Sequence, residues 1–321
     1  MHTILAFCNR IKIVWYCAQI DNNCSVLELL EDPDDSHSDD DVEDSASVDL
    51  GPVRRLGSYL HHLGECTIDT ESLLTKFVAD MPYTDTDIHC IEQATVGQHC
   101  SANWHELRKQ LVTASNFKRV LSRTETILAN PSESCTSLLN DLVSEAKDLD
   151  HVAAIAWGRK KENTARMMYT RVERKKHIGL TVRTTGLFIS GENPFLGCSP
   201  DGIVSCRCKS QHEDRLIEIK CPHSRRLSTP KEAAVHCGVV VDGDTRTLDK
   251  NHKYYAQIQG QCGIVGVNMC ELIVFTTKGI DVIPVPFDSE YYAYLSRVLR
   301  FFVTQFYIPR AVADLAAITT G

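Results

Sequence analysis

In "RLIEIKCP", residues 215–222, charged residues interrupt an apolar run. Ile217 and Ile219 are typical of a buried β-strand, yet Glu218 and Lys220 lie among them. Because successive side chains of a strand point to opposite faces, Glu218 and Lys220 share one face. Charged side chains are costly to bury unless they are paired or bind a metal. The stretch therefore predicts a buried strand whose carboxylate and ammonium groups serve a function.

A second carboxylate precedes this strand in "SPDGIV", residues 199–204, where Pro200 and Gly202 bracket Asp201. Two carboxylates on neighbouring strands, followed by a lysine, suit a divalent-metal site, since Mg²⁺ prefers carboxylate oxygens and keeps several waters. Such a cation activates a water and stabilises negative charge that develops on a phosphate. The alternative is a salt-bridged or solvated strand face without catalysis, because an E-x-K pattern alone does not separate the two.

A third carboxylate lies on the helix predicted over residues 151–174. Glu162 shares one face of that helix with Ala165 and Tyr169, by the i, i+3, i+4 rule. A carboxylate within the inward-facing apolar stripe of a helix is typical of a metal ligand. The alternative is a partly exposed glutamate flanked by lysines.

The distribution of apolar residues predicts an α+β domain with a central mixed sheet flanked by helices. Helices are predicted within 101–122 (broken near Val112–Thr113, the second part capped by Thr113 or Ser115), 135–149, 151–174, 252–267 and 289–307. Strands are predicted within 180–190, 195–206 and 215–222 as a meander, followed by a polar insertion at about 223–247 and a hairpin within 270–287.

Composition divides the chain into four parts: an acidic, disordered leader over 1–50, a poorly defined lead-in over 51–95, a folded domain over 96–309 and a tail over 310–321. The formal net charge of −8 is uneven, because nine of the 42 acidic residues lie within 31–44, where there is no Lys or Arg. Such a run is typical of a solvated, disordered segment. The alternative is a tail that mimics nucleic-acid phosphates and competes for a basic groove.

The cysteines indicate a reducing compartment. There are fourteen, without any C-x-x-C pair, and the single C-x-C of Cys206 and Cys208 is weak support for zinc. We therefore expect reduced, idle thiols. The apolar start is broken by Arg10 and Lys12, so we expect neither a signal peptide nor a membrane partner, and predict a soluble intracellular protein. Motifs for acyl transfer, NTP hydrolysis and dinucleotide binding are lacking.

Four stretches carry a resemblance to a known family: "WGRKKENTARMMY" (157–169), "NPFLGCSPDGIV" (193–204), "RLIEIKCP" (215–222) and "YYAQIQGQ" (254–261). In this order they resemble the YqaJ-type viral recombinase, or phage lambda exonuclease-like, family of the PD-(D/E)XK nuclease superfamily, over about residues 98–307. The resemblance implies a restriction-endonuclease-like core. It also implies a Mg²⁺-dependent DNA exonuclease, with Mn²⁺ as a substitute, that acts from a 5′ end in recombination, repair or end processing.

The resemblance also assigns roles to particular residues. It implies that Glu162, Asp201, Glu218 and the main-chain carbonyl of Ile219 bind the metal, that Lys220 assists the attacking water, and that Gln257 places it. For a terminal 5′-phosphate it implies Arg108, Ser115, Ser199 and either Arg225 or Arg226. The spacing after Lys220 is about one residue shorter than in the family, which leaves that last choice open.

Two other functions remain open at this point. One is a structure- or site-specific endonuclease of the same fold. The other is a catalytically silent DNA-binding module domesticated from a mobile element, against which the intact acidic residues argue. The resemblance further implies DNA, a single-strand annealing protein and a homo-oligomeric ring trimer as partners. We expect nuclear residence if the host is eukaryotic.

Overall fold

The computed structural model describes residues 51–63, 68–143, 152–208 and 214–319, with only the main chain of 315–319. Its helices are α1 (Pro52–Leu63), α2 (Thr70–Asp80), α3 (Asp85–Ala94), α4 (Ala102–Arg108), α5 (Phe117–Ala129), α6 (Thr136–Val143), α7 (Ala153–Glu173), α8 (Pro230–His236), α9 (Lys253–Val265), α10 (Ser289–Phe302) and α11 (Ile308–Thr319). The acidic leader and the end of the helix predicted over 135–149 lie outside the described residues.

The strands are β1 (Val112–Thr113), β2 (Thr181–Arg183), β3 (Phe188–Ile189), β4 (Leu196–Cys198), β5 (Gly202–Ser205), β6 (Arg215–Lys220), β7 (Val239–Asp242), β8 (Thr245–Leu248), β9 (Met269–Thr276) and β10 (Gly279–Pro286). The main sheet has the order β10-β9-β6-β5-β2, in which β6 and β9 are parallel and the other neighbours antiparallel. The predicted α+β fold with a central mixed sheet is therefore confirmed.

The central strand β6 is buried on both faces, as its alternation predicts. Ile217 and Ile219 pack with Tyr169 of α7 in one apolar cluster. Leu216 packs in a second cluster that contains Ile258 of α9 and residues of α8. The sheet thus lies between α7 on one face and α8 with α9 on the other. Glu218 and Lys220 share the face of Leu216, towards α9.

Helix α9 has clear sequence reasons for its bounds. The His252 ring accepts a hydrogen bond from the N–H of Tyr254 at 3.3 Å and so caps the first turn. Gly266, with φ of 79°, ends the helix in the left-handed conformation that glycine adopts without strain. These caps fix the register of α9 along the sheet, and with it the height of the glutamines on the face that meets Glu218.

The predicted three-strand meander is confirmed in part. Strands β2, β5 and β6, one from each of the three runs, are antiparallel neighbours in that order in the main sheet. The runs 180–190 and 195–206 each contribute a second short strand, β3 and β4, to a separate small sheet with the order β1-β4-β3. The split places Asp201 in the short link between the two sheets, at the start of β5.

The ends of the described chain form a helical layer. Helices α1, α2, α5, α6, α10 and α11 contribute to one apolar cluster, which also includes residues of β1, β4 and α9. The lead-in 51–95 therefore supplies three ordered helices, and α11 runs across the boundary expected at 309/310. Within the described parts of the chain, no helix is both long and apolar enough to cross a bilayer.

Candidate active site

The centre of the site is the carboxylate of Glu218, a residue that is only 2% exposed. Its Oε1 accepts hydrogen bonds from Lys220 Nζ at 2.6 Å and from Gln257 Nε2 at 2.7 Å. Its Oε2 accepts one from Gln261 Nε2 at 2.7 Å. Gln257 and Gln261 are four residues apart, so a single face of α9 supplies both amides. The charged face predicted for β6 thus meets a polar stripe of this helix.

Asp201 is held against β6 by main-chain hydrogen bonds. Its Oδ2 accepts the N–H of Ile219 at 2.5 Å, and its own N–H donates to the carbonyl of Ile217 at 3.1 Å. Gly202, the next residue, permits the close packing of β5 against β2, because a Cβ at that position would lie 2.8 Å from the carbonyl oxygen of Arg183. The turn at "PDG" therefore fixes the Asp201 carboxylate relative to Glu218.

Like charges are crowded at Asp201. Burial first, and then the carboxylates of Glu218 and Glu162, raise the pKa of Asp201 well above its ordinary value. Lys220 and the hydrogen bond from Ile219 act in the opposite direction without cancelling the effect. The structure thus brings together the three carboxylates that the sequence places on α7, β5 and β6, in a position where another positive charge would be favourable.

Glu162 reaches the cluster through a salt bridge on its own helix. Its Oε1 accepts a hydrogen bond from Arg166 Nη2 at 2.6 Å, and the same nitrogen donates to the carbonyl of Asp201 at 3.1 Å. Arg166 therefore ties α7 to the start of β5. Glu162 itself is partly exposed, at the open side of the cluster.

Lys220 is held as a cation. Burial alone would lower the pKa of Lys220, but the carboxylates of Glu218 and Asp201 and the nearby Tyr254 raise it above its ordinary value. Its Nζ lies 4.5 Å from the centroid of the Tyr254 ring, a cation–π contact. Lys220 therefore provides fixed positive charge beside the carboxylates, not a base.

The oxygen donors of Glu162, Asp201 and Glu218 suit a hard divalent cation by their chemistry, although in the structure these oxygens do not all lie within 4.8 Å of one another. Among the described residues, hydrogen bonds reach one oxygen of Asp201 (Oδ2) and one of Glu162 (Oε1), which leaves Oδ1 and Oε2 available. Glu218 Oε2 accepts one hydrogen bond and keeps a second lone pair. Oxygen ligands with excess negative charge are what Mg²⁺ and Mn²⁺ prefer. Glu162, Asp201, Glu218 and the carbonyl of Ile219 are the groups that would hold the ion.

Three of the four residues expected to grip a phosphate lie in one connected cluster. Arg108 Nη2 donates to Thr113 Oγ1 at 3.4 Å, and the Thr113 and Ser115 hydroxyls are 3.2 Å apart. The Arg108 guanidinium stacks 4.2 Å from the centroid of the Trp104 ring, whose Nε1 donates to Ser199 Oγ at 2.9 Å. Arg108, Ser115 and Ser199 thus converge, and their role as phosphate ligands stays a prediction.

Among the described residues, Arg108 has no acidic partner, and burial lowers its pKa to about 10. A desolvated guanidinium next to hydroxyl groups is suited to bind an anion. The expected helix cap by Thr113 or Ser115 is wrong, since α5 begins after Asn116 without a side-chain cap.

The fourth residue, Arg225, lies elsewhere. It is exposed on the single 3₁₀ turn His223–Arg225 after β6, and within the described part of the chain it has no hydrogen bond to Ser115 or Ser199. Arg226 donates to the carbonyl of His223 at 2.9 Å, which also turns it to its own loop. The choice between Arg225 and Arg226 therefore stays open.

Four further residues complete the site, and the sequence analysis did not single them out as functional: Arg166, Gln261, Trp104 and Thr113. Arg166 and Gln261 each follow a predicted site residue, Glu162 and Gln257, by four positions on one helix. The i, i+4 spacing is visible in the sequence and is sufficient to predict that both residues share a helix face with a site residue. Trp104 contacts Ser199 on a distant segment, for which no local pattern exists, whereas Thr113 contacts its near neighbours Arg108 and Ser115.

Comparison with known proteins is consistent with this arrangement. Residues 103–268 match the YqaJ-like viral recombinase domain. LHK-Exo, an alkaline exonuclease of Laribacter hongkongensis solved with dAMP, is 20% identical, with a TM-score of 0.48 over 68% of this chain and 100% of that one. The shutoff and exonuclease protein of Kaposi's sarcoma-associated herpesvirus is 12% identical, with a TM-score of 0.44 over 71% of this chain and 73% of that one. No curated protein matches the sequence significantly.

The main sheet carries Asp201 just before β5 and Glu218 and Lys220 near the end of β6, in the order of a PD-(D/E)XK motif. The family match covers more than half of the chain and includes Glu162, Asp201, Glu218 and Gln257. The chain belongs to the YqaJ-like viral recombinase domain family, which confirms the resemblance found in the sequence.

Proposed function

We propose that this protein is a Mg²⁺-dependent nuclease that hydrolyses DNA phosphodiester bonds, and that it acts as an exonuclease from a 5′ end. The observation that carries the proposal is the convergence of Glu162, Asp201 and Glu218 beside the cation of Lys220, in a member of the YqaJ-like family. Bound Mg²⁺ supplies the acidity that activates a water and the charge that stabilises a phosphate in its transition state.

The protein's own groups support this chemistry by position. Gln257 and Gln261 hold the Glu218 carboxylate from the side of α9, so that its orientation does not depend on a ligand. Lys220 presents a fixed positive charge 2.6 Å from Glu218 Oε1, where it stabilises negative charge on a nearby phosphate. Arg166 keeps Glu162 and the start of β5 together. The site is therefore arranged before substrate binds.

A basic groove provides a path for the nucleic-acid backbone. A cavity of about 670 Å³ is lined by Arg166, Arg171, Arg174 and Arg183, together with polar residues of α7 and β2. Clustered arginines are suited to phosphates. Arg166 belongs both to this groove and to the acidic cluster, so a strand that follows the groove reaches the carboxylates. The stretch "RVERKKH", residues 171–177, is basic and contributes Arg171 and Arg174 to this surface.

The test compares one plasmid as a covalently closed circle and as a linear duplex with 5′-phosphates, each with Mg²⁺. We expect the linear form to be degraded and the circle to stay intact, because an exonuclease needs an end. A label at the 5′ end should be released before one at the 3′ end, and chelation of Mg²⁺ should stop the reaction reversibly. Cutting of the circle would instead identify an endonuclease, and binding without cleavage a silent module.

Arg108 is expected to set the preference for a phosphorylated end. Replacing Arg108 with glutamine should reduce the preference for 5′-phosphate over 5′-hydroxyl ends by roughly 10- to 100-fold, since a charge-assisted hydrogen bond contributes about 1.5–3 kcal/mol. The measurement is the ratio of initial rates on the two linear duplexes. Lys109→Gln is the matched control, because Lys109 is the next residue and pairs with Glu106 at 3.2 Å. An unchanged ratio in Arg108→Gln would exclude this role.

The ring trimer and the annealing partner implied by the family resemblance stay predictions. The nuclease assay does not depend on them, because the acidic cluster is assembled within a single chain.

A further inference from the structure

A second group of potential metal ligands lies away from the acidic residues. His177, Cys206 and Cys208 place one ligand atom each within 4.8 Å of the others, and we call them the thiol–imidazole cluster. The Cys208 sulfur is 3.6 Å from His177 Nδ1. All three residues are partly buried, and both cysteines are free thiols. From the sequence we predicted thiols without a function, because a C-x-C pair alone does not show that a histidine lies beside it in the fold.

The spacing agrees with a tetrahedral metal site. Zinc lies about 2.3 Å from cysteine sulfur and about 2.0–2.1 Å from histidine nitrogen, which places tetrahedral ligand atoms roughly 3.5–3.8 Å apart. The distance from Cys208 to His177 is already 3.6 Å. The largest separation, 4.8 Å at most, requires a closure of about 1 Å, which a change of side-chain rotamer supplies.

The surroundings hold these ligands as metal sites usually do. His177 Nε2, the ring nitrogen turned away from Cys208, lies 3.4 Å from Oε2 of Glu173, a carboxylate that is only 6% exposed. A metal-binding histidine commonly donates its second N–H to such a carboxylate, which fixes the ring and its tautomer. The N–H of Ile178 donates to the Cys208 sulfur at 3.3 Å, which stabilises a thiolate. His177 Nε2 also lies 3.5 Å from Nη2 of Arg215, a donor that favours the opposite tautomer, so the ring presents the Nδ1 lone pair to the cluster in the tautomer whose Nε2–H donates to Glu173.

The main chain brings the two ligand segments together. The N–H of Arg207, between the cysteines, donates to the carbonyl of Ile178 at 2.8 Å. Gly179 has φ of 60°, and a Cβ there would lie 2.5 Å from the Arg207 side chain. This glycine therefore permits the close contact between the end of α7 and the end of β5.

The cluster is separate from the acidic site. Asp201 comes just before β5 and Cys206 just after it, so about five residues at roughly 3.3 Å each put them some 17 Å apart. The chemistry also differs, because thiolate and imidazole ligands select zinc while carboxylates suit Mg²⁺. A metal at the cluster would join α7, which carries Glu162, to the strand that follows Asp201.

We propose that His177, Cys206 and Cys208 bind one Zn²⁺ that braces the end of α7 against the β5–β6 connection. Binding releases the two thiol protons and leaves the fourth tetrahedral position to water or a further ligand. The proposal does not depend on the nuclease assignment. A bound zinc adds its binding free energy to the stability of the fold, so its removal should lower the temperature of unfolding.

The test uses the full chain, produced with zinc and freed of loosely bound metal. Cys206→Ser/Cys208→Ser should contain about one zinc less per chain than the wild type. The matched control is Cys90→Ser/Cys100→Ser, which removes two exposed thiols and should leave the zinc content unchanged. A chelator should free about two more reactive thiols and lower the unfolding temperature in the wild type and the control, but not in the Cys206/Cys208 variant.

The wild type alone decides the question if that variant does not fold. The X-ray absorption spectrum of its zinc should show two sulfur ligands and at least one nitrogen. Cobalt substitution should give thiolate charge-transfer absorption. A zinc content equal in wild type and Cys206→Ser/Cys208→Ser, a wild type without zinc, or a Cys206–Cys208 disulfide that chelation leaves closed would each overturn the proposal.

Discussion

Replacing Asp201 with asparagine is expected to lower the rate of DNA hydrolysis by roughly 10³-fold, and at the same time to stabilise the metal-free fold. A loss of about 4 kcal/mol of transition-state stabilisation corresponds to that factor, and removing a ligand of the activating cation removes several kcal/mol. The side chain changes little in shape, and its Oδ1 can still accept the N–H of Ile219. The loss would therefore report charge, not misfolding.

The gain in stability follows from the crowding of negative charge. Burial, Glu218 and Glu162 raise the pKa of Asp201 in the fold. An acid whose pKa is higher in the folded than in the unfolded chain binds its proton more tightly when folded, so its negative charge at neutral pH opposes folding. Asparagine removes that charge at every pH. We expect the unfolding temperature to rise by a few degrees, since about 1 kcal/mol gives roughly 2–4 °C in a domain of this size.

Thermal unfolding with and without Mg²⁺ separates the two effects of Asp201→Asn. Mg²⁺ should raise the unfolding temperature of the wild type, because it binds only the folded state, and should have little effect on the variant. Asp242→Asn is the control, since Asp242 is exposed at the end of β7 and should change neither activity nor stability. A variant that is inactive and also less stable than the wild type would contradict the crowding argument.

Local pattern predicted the elements that carry the candidate site residues. The residue types of β6, α7, α9 and the β9–β10 hairpin indicate strand or helix within a short window, although β6 and α9 are buried along most of their length and not on one face alone. The shared face of Glu218 and Lys220 followed from the period of two. The residues of each element determine whether it forms a helix or a strand, and the local pattern was therefore sufficient to predict its type.

The connections could not be predicted, because distant groups decide them. The run 180–190 is interrupted where Glu92 of α3 accepts hydrogen bonds from the N–H of Gly186 at 3.1 Å and from Arg183 at 2.7 Å. The N–H of Leu187 donates to Thr95 at 2.8 Å. Side chains of the lead-in therefore take the bonds that a continuous strand would have made. The parallel pairing of β1 with β4 is non-local in the same way.

The site shows the same division. Asp201, Glu218, Lys220 and Gln257 were found from residue type, spacing and the family resemblance, and the structure brings them together. The link from Arg108 through Trp104 to Ser199 joins residues about ninety positions apart, so only the fold reveals it. The thiol–imidazole cluster was missed for the same reason, since four strands, β2 to β5, lie between its histidine and its cysteines in the sequence.

Glu218→Gln is expected to lose activity to the same extent as Asp201→Asn, but with the opposite effect on stability. Glu218 is the anion that faces Lys220, and its two oxygens accept three hydrogen bonds from Lys220, Gln257 and Gln261. The amide of glutamine would turn at least one N–H towards these donors. The positive charge of Lys220 would then no longer be balanced by the Glu218 carboxylate. Removing one partner of a buried ion pair costs about 3–5 kcal/mol, so the unfolding temperature should fall.

The double variant Glu218→Gln/Lys220→Met tests this explanation. Without the ammonium there is no uncompensated charge to bury, so part of the stability lost in Glu218→Gln should return, while DNA hydrolysis stays as low as in the single variants. Denaturant unfolding of the wild type, both single variants and the double variant gives the coupling free energy between the two residues.

Strictly additive losses of stability would show that another group balances the positive charge of Lys220. A coupling of 1 kcal/mol or more, on the order expected for residues in direct contact, would show that the pair acts as one unit in the fold. Asp201→Asn and Glu218→Gln would then lose hydrolysis equally but change stability in opposite directions. This result would show that Asp201 serves the metal alone, whereas Glu218 serves the metal and also pairs with Lys220.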